Sequence, residues 1–251
     1  MLLDRIEAIR EAKIVLASSS PRRTEILNNI LGLNASIVPS TFPEDLDKSK
    51  FTPKEYVEEN AKLKALEVWE RLLSEPIVAA HATRYNFPSL IVGADTVVVH
   101  DATILEKPKS VEAAKAMLHS LSGRTHEVCT GVALVYAPME DDGEPHVVTF
   151  VETTTVHFAE LSAGNIDAYV ASGEPMDKAG GYGIQARGGA FVSGISGCYY
   201  NVMGFPMHRF CATLDCDRLE AWVGQHERHG ARCEGPSRSH EELESLGTVV
   251  H

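Results

Sequence analysis

No stretch of the sequence comes near the about 18 consecutive apolar residues that a membrane-crossing helix needs, so no membrane partner is expected. Cysteine is scarce. The five residues, Cys129, Cys198, Cys211, Cys216 and Cys233, form an odd set with no C-x-x-C pair. That argues against structural zinc and against a disulfide framework, and reduced thiols suit a cytoplasmic protein. Positive charge is in deficit: 23 Lys and Arg stand against 35 Asp and Glu, a formal net charge of −12. A non-specific binder of nucleic acid polymers needs a broad basic surface, so the charge argues against that class. It does not argue against a small anionic substrate held by a local basic cluster. The G-x-x-x-x-G-K-S/T loop of phosphoryl-transfer enzymes is missing. So are an internal repeat and any linker before Gly230. Of the scattered histidines only His226 and His229 make a suggestive pair, and no third ligand lies near them in sequence.

What is present, 44% hydrophobic residues in a chain of 251, is enough for one large α/β domain or two small ones. With no earlier linker, the reading is a single domain over residues 1–229 and a polar tail over 230–251. Met1-Leu-Leu-Asp-Arg-Ile-Glu7 is a mixed-charge amphipathic start and not a signal peptide. It begins a short helix that leads into the first strand. The chain is organised around Ile14–Leu27. Ile14–Leu16 is a short buried-strand signal. Three serines follow, Ser20 stands at an N-cap position, and Pro21 takes the first helical position, where its missing N–H costs nothing. Ile26, Leu27, Ile30 and Leu31 give the helix its apolar face. Arg22 and Arg23 break the pattern, because cations in a first helical turn are disfavoured by about 0.3–1 kcal/mol each. Either they are surface arginines with their heads in solvent, or they and the serine hydroxyls converge on a bound phosphate.

Ala35–Val38 predicts a second short strand, followed by an irregular segment with two prolines that carries Glu44 and Asp45. Thr52-Pro-Lys-Glu55 is a capping box that opens a helix to about Leu73. Val57, Ala61, Ala65, Val68 and Leu72 form its apolar stripe. Lys64 lies on the same face and either snorkels or reaches a polar cavity. Ser74–Ser89 reads as an inserted loop. Leu90–Val99 is fit for a strand buried on both faces, yet Asp95 interrupts it. An unpaired buried carboxylate is expensive. Asp95 therefore marks either a bulge, with its side chain capping a backbone amide, or a functional site. Gly93-Ala94 beside it leaves room for a close approach. Thr103–Pro108 returns as a hairpin strand, with Lys107 at its end beside Asp95. Ser110 and Ser162 cap helices to Leu121 and Ser172. Arg124–Tyr136 and His146–Glu160 are strands joined by an acidic loop over 138–145, with Val151, Thr154, Val156 and Phe158 on one face. Gly173–Gly197 holds eight glycines, a density that suits a flexible linker or backbone lying close to a ligand. Its apolar residues, among them Tyr182, Ile184 and Phe191, favour an ordered loop leading into a strand. Gln185 offers donor and acceptor together, a match to a base edge or an amide. Pro206 opens the last helix, to about His229.

Six stretches, in this order, resemble the Maf family, also called septum-formation proteins: Leu16-Ala-Ser-Ser-Ser-Pro-Arg-Arg23, Glu59-Asn-Ala-Lys-Leu-Lys-Ala65, Gly93-Ala-Asp-Thr-Val97, Glu106-Lys-Pro108, Leu121-Ser-Gly-Arg-Thr-His126 and Glu174-Pro-Met-Asp-Lys-Ala-Gly-Gly-Tyr-Gly-Ile-Gln185. Maf proteins are nucleoside triphosphate pyrophosphatases related in fold to inosine triphosphatases. The resemblance implies an α/β fold, a mixed twisted β-sheet flanked by helices, and hydrolysis of a nucleoside triphosphate to the monophosphate and pyrophosphate. It casts Asp95 as the general base and, with Glu44, as a holder of a divalent metal cation, Mg²⁺ or Mn²⁺. It casts Ser18, Arg22, Arg23, Lys64, Thr96, Lys107 and Gln185 as substrate-binding residues. Arg23, Thr96 and Gln185 match the subgroup that prefers dTTP and UTP, although Ala186 stands where that subgroup usually has glycine. A homodimer is implied by the family alone. Two other readings stand beside this one: a nucleotide-sensing regulator of cell division without turnover, and a purine-preferring, inosine-triphosphatase-like enzyme, against which Gln185 and Thr96 weigh.

Overall fold

Two long apolar segments, β3 (Leu90–His100) and β5 (Thr125–Tyr136), pair antiparallel and form the middle of the molecule. The computed structural model describes residues 2–74, 87–139 and 143–233. With β1 (Ile14–Leu16), β2 (Ser36–Ile37), β4 (Thr103–Leu105), β6 (His146–Phe158) and β7 (Val192–Ser196), the two segments make a seven-stranded sheet in the order β2-β1-β3-β5-β6-β7, with β4 beside β3. β1 runs parallel to β2 and β3, and the other pairs are antiparallel, so the sheet is mixed. Helices flank it, as expected for α/β. Among the described residues no helix is long and apolar enough to cross a membrane.

The pairing of β3 explains why a site forms where it does. Along one edge β5 accompanies it from Leu90 to Val99. Along the other, β1 covers Leu90–Val92 and β4 covers Val98–His100. Between them, residues 93–97 have no strand alongside. Asp95 sits in that gap, in regular register opposite Gly131, which removes the bulge alternative.

Side chains alternate across a strand. Ile91 and Val97 therefore face the long helix α3 (Pro53–Ser74), and Asp95 shares their parity. Leu90, Val92 and Ala94 face the opposite layer. α3 begins with the expected capping box: the Thr52 N–H donates to Glu55 Oε2 at 2.8 Å, and the Glu55 N–H donates to Thr52 Oγ1 at 3.3 Å. Its stripe of Val57, Ala61, Ala65 and Val68 is fully buried. The helix backbone rests on two glycines in adjacent strands. A Cβ at Gly93 would overlap the Ala61 carbonyl oxygen and lie 2.9 Å from Ala65 Cβ. One at Gly131 would overlap the Val57 carbonyl and lie 2.6 Å from the Glu58 nitrogen. The close approach expected at Gly93 is that of α3 itself.

Several local expectations are corrected. After the short first helix α1 (Ile6–Arg10), which leads into β1 as expected, Ser20 is the N-cap residue of α2 (Pro21–Thr24), but its side chain makes no capping bond. α2 then widens into a π-helical turn, Glu25–Ile30, in which the Leu31 N–H reaches Ile26 O at 3.0 Å. The wider turn sends Ile26, Leu27 and Leu31 into the core and leaves Ile30 45% exposed, where ordinary spacing had all four on one face. β4 stops at Leu105 and not at Lys107. Beyond it the Glu106 carbonyl accepts from the Gly180 N–H at 3.1 Å, and the Glu106 side chain turns to Tyr56 Oη at 2.9 Å, which draws the chain off the sheet. Val151 joins the α3 side with Val57 and Cys129, opposite Thr154, Val156 and Phe158, as strand parity requires.

Ser110 and Ser162 cap α4 (Val111–Leu121) and α5 (Ala163–Ala171) as expected. The single helix expected from Pro206 is instead part of a series: α6 (Tyr199–Met203), α7 (Met207–Thr213) and α8 (Cys216–Cys233). The break before α8 is made by Asp215, whose carboxylate accepts the Arg218 N–H at 2.9 Å and whose own N–H donates to Tyr136 Oη at 2.8 Å. The expected boundary at Gly230 falls inside α8. Most of the 74–89 insertion, part of the acidic loop, the His226 and His229 side chains and the tail from 234 onward lie outside the described residues. Cys129, Cys198, Cys211 and Cys216 are free thiols.

Candidate active site

A cavity of about 500 Å³ opens at the gap in the edge of β3. The nine residues that the family resemblance casts in the site line it: Ser18, Arg22, Arg23, Glu44, Lys64, Asp95, Thr96, Lys107 and Gln185. They arrive from different elements. The β1–α2 turn brings Ser18, Arg22 and Arg23; the irregular segment brings Glu44; α3 brings Lys64; β3 brings Asp95 and Thr96; the chain after β4 brings Lys107; the glycine-rich loop brings Gln185.

Lys64 is resolved in favour of the polar cavity. Its ammonium, 7% exposed, donates to Asp95 Oδ1 at 2.8 Å and lies 2.8 Å from Glu44 Oε2. Asp95 is 8% exposed, so this is a buried ion pair with a half-exposed third member. Glu44 has φ +54, in the left-handed region that side chains other than glycine rarely adopt. Holding it there costs on the order of 1–3 kcal/mol, which surrounding contacts must offset.

The two arginines differ. Arg23 is committed to the protein: Nε donates to Gly204 O at 2.9 Å, Nη1 to Ala94 O at 2.9 Å and Ser18 Oγ at 3.0 Å, and Nη2 to Thr96 Oγ1 at 3.1 Å. Four of its five N–H donors are used. Burial pulls its guanidinium below the ordinary value, against the opposing pull of Asp95. Thr96 is tied in turn to Thr130 Oγ1 at 3.0 Å. Because Asp95 and Thr96 are neighbours on one strand, they meet Lys64 and Arg23 on opposite faces. Arg22 makes one ion pair, with Asp177 at 2.9 Å, in a part-exposed position. Lys107 is exposed and makes no ion pair among the described residues.

Gln185 lies on the cavity wall with a buried Oε1 that has no hydrogen-bond partner. The loop that carries it is anchored by Tyr182, whose Oη meets His126 Nε2 at 2.8 Å beside Phe158, a ring that meets both of theirs edge-on. Burial pushes His126 down to about 4, so it is neutral at ordinary pH and its contact with Tyr182 is a neutral one. Asp177, Glu106 and Glu67 were not singled out from the sequence, because the partners that tie them to the site, Arg22, Tyr56 and Ser40 with Thr41, are distant in sequence. Asp177 had a signal: it is the one carboxylate inside Met176–Gly183.

The carboxylates of Glu44 and Asp95 both reach the point where the Lys64 ammonium sits. That fits a hard cation of the Mg²⁺ kind, which is held by one or two carboxylates with substrate phosphates and water completing its shell. Among the described residues, no group of three or more His, Cys, Asp or Glu forms a metal cage without substrate.

A family model described as Maf-like protein matches residues 13–216. The chain belongs to the Maf-like family. Among its Maf-like relatives, the Homo sapiens protein named "Probable bifunctional dTTP/UTP pyrophosphatase/methyltransferase protein" is 50% identical over 204 residues, 80% of this chain and 31% of that protein. The chain thus spans under a third of that relative's length. The dTTP/UTP pyrophosphatase of Clostridium perfringens (strain 13 / Type A) is 45% identical over 203 residues, 81% of this chain and 96% of that protein. A solved structure, the Staphylococcus aureus Ham1 protein, aligns at 18% identity over 59% of this chain and 72% of that one with a TM-score of 0.33, too low to bear on the Maf-like assignment.

Proposed function

We propose that this chain is a cytoplasmic pyrophosphatase that hydrolyses UTP and dTTP between the α and β phosphates, with residues 1–229 acting as one catalytic domain. The observation that carries this reading is the buried Lys64–Asp95 pair with Glu44 beside it, at a cavity whose other walls present Arg22 and Lys107. The names of the Maf-like relatives support the same reaction.

Charge decides what the site needs. Five cations (Arg22, Arg23, Lys64, Lys107, Lys109) and four carboxylates (Glu44, Asp95, Glu106, Asp177) line the cavity. The triphosphate adds about four negative charges, and two like charges 4 Å apart repel by about 4 kcal/mol at an effective dielectric near 20. The side chains alone under-compensate. Glu44 and Asp95 would hold Mg²⁺ or Mn²⁺, which supplies charge neutralisation and a more acidic water. Asp95 accepts a proton from the attacking water as the water oxygen bonds to phosphorus and the α–β bridging bond breaks. Pyrophosphate leaves paired with Arg22, released from Asp177, and with Lys107. Lys64 holds the Asp95 carboxylate in place through its 2.8 Å hydrogen bond. Arg23 holds Ser18, Ala94 and Thr96 in register and leaves one N–H for the substrate. The unpartnered Gln185 Oε1 reads the base, since a site built to pair with a base edge rejects the wrong base by leaving buried groups unpaired.

The test is pyrophosphate release from UTP, dTTP, CTP, 7-methyl-GTP and ITP with and without Mg²⁺. Release from UTP and dTTP that needs the metal is expected. Release confined to ITP or 7-methyl-GTP would sink the base assignment, and binding without any release would sink the enzymatic reading.

A further inference from the structure

Glu67 stands three residues after Lys64 on α3 and touches no part of the proposed chemistry. Its carboxylate is nonetheless fully engaged. Oε2 accepts from Ser40 Oγ at 2.8 Å and from the Thr41 N–H at 2.9 Å; Oε1 accepts from Thr41 Oγ1 and from Arg71 Nε, both at 2.8 Å. Arg71 adds a bond from Nη2 to Pro39 O at 2.9 Å. Burial pushes the Glu67 carboxyl up, and the Arg71, Ser40 and Thr41 donors outweigh that and take it down to about 2. Two residues of one helix therefore grip three consecutive residues of a segment that has no helix or strand of its own from 38 to 47.

That segment is the one that presents Glu44. Nothing local favours its geometry: the Glu44 backbone is left-handed, and its side chain is half-exposed with Lys64 as its ion partner. The segment is fastened on the far side by Leu46, which packs against the Tyr56–Val57 cluster, and on the near side by Glu67. Because Lys64 and Glu67 share one helix, the clamp and the ammonium that Glu44 meets move as a unit.

We propose that Glu67 is a positioning residue that, through Ser40 and Thr41, fixes Glu44 at the point it shares with Asp95 and so sets the affinity of the site for its divalent cation. This rests on the reading of Glu44 as a carboxylate that holds the metal. The direct readout is Mn²⁺ binding, titrated by electron paramagnetic resonance into protein saturated with α,β-methylene-UTP. Supporting groups of this kind change metal affinity by about 10- to 100-fold, so Glu67→Ala is expected to weaken Mn²⁺ binding by about tenfold. The doubly substituted Glu44→Gln/Glu67→Ala protein is expected to bind no more weakly than Glu44→Gln alone, because the clamp acts through Glu44. If Glu67→Ala fails to fold, Ser40→Ala combined with Thr41→Val removes both hydroxyl contacts of the clamp, leaving the residue 41 N–H bond, and is expected to show a smaller loss of about threefold in the same direction. Unchanged Mn²⁺ affinity in the clamp variants, with a loss in Glu44→Gln, would overturn the proposal while leaving the metal reading intact. Losses that add in the double variant would overturn it too, since they mark a fold effect independent of Glu44. An unchanged affinity in Glu44→Gln would instead remove the metal reading on which the proposal stands.

Discussion

Asp95→Asn is expected to lower the turnover of UTP at saturating Mg²⁺ by about 10³-fold, within the range for loss of a positioned proton acceptor. The size of the effect has to be separated from damage to the fold. Removing one partner of a buried pair costs about 3–5 kcal/mol when it leaves the other charge uncompensated. Lys64 is not left so: Glu44 remains 2.8 Å away, and an asparagine oxygen at position 95 still accepts a hydrogen bond from the ammonium. The expected stability change is therefore about 1 kcal/mol, that of one charged hydrogen bond weakened to a neutral one. Turnover and a urea unfolding curve measured on the same preparation distinguish the two. A large loss of rate with a near-native unfolding midpoint supports a chemical role. A loss of rate that tracks a collapse in stability would make Asp95 a structural residue.

Gly93→Ala is expected to destabilise the fold and the site together. Gly93 has an ordinary strand backbone, so conformational freedom is not what it supplies. Its new Cβ would overlap the Ala61 carbonyl oxygen and press on Ala65, both rigid parts of α3. Overpacking of this kind costs about 1–3 kcal/mol and more where backbone is the obstacle, against a total stability of about 5–15 kcal/mol. The helix must lift, and Lys64 lifts with it. A misplacement near 1 Å costs about 10²-fold in rate. The expected result is a loss of about 3 kcal/mol in urea unfolding, together with about a hundredfold fall in turnover of the protein that remains folded. Gly224→Ala is the control: a Cβ there meets nothing within 4 Å, and its position in α8 makes the change neutral or stabilising. Equal behaviour of the two variants would refute the idea that α3 is seated on glycine.

The polar site was legible in the sequence wherever a residue broke a local rule. Arg22 and Arg23 in a first helical turn, Lys64 inside an apolar stripe and Asp95 inside a buried strand each conflicted with the element around them, and all of them line one cavity. Helical spacing placed Lys64 on the buried face, and strand parity places Asp95 toward the same helix. No local pattern says that the two meet, because that depends on how close α3 comes to the sheet. The distance is fixed by Gly93 and by Gly131, and Gly131 carries no signal of its own. For the same reason Arg23 read as either a surface arginine or a phosphate ligand, and its acceptors at Ala94, Thr96 and Gly204, which come from far along the chain, were hidden. The π-helical turn after α2 was hidden because Ile30 completes an ordinary helical stripe on paper. Glu67 was hidden because a glutamate on a helix beside an arginine four residues on looks like a surface pair. Its hold on Ser40 and Thr41 exists only once the segment is folded back.

The reaction itself is tested most directly by phosphorus NMR of UTP incubated with the protein and Mg²⁺. UMP and pyrophosphate resonances are expected to grow together in equal amounts, with no UDP and no orthophosphate at early times. UDP with orthophosphate would place cleavage at the β–γ bond and contradict the account. UTP that is bound and shifted but never consumed would contradict catalysis altogether.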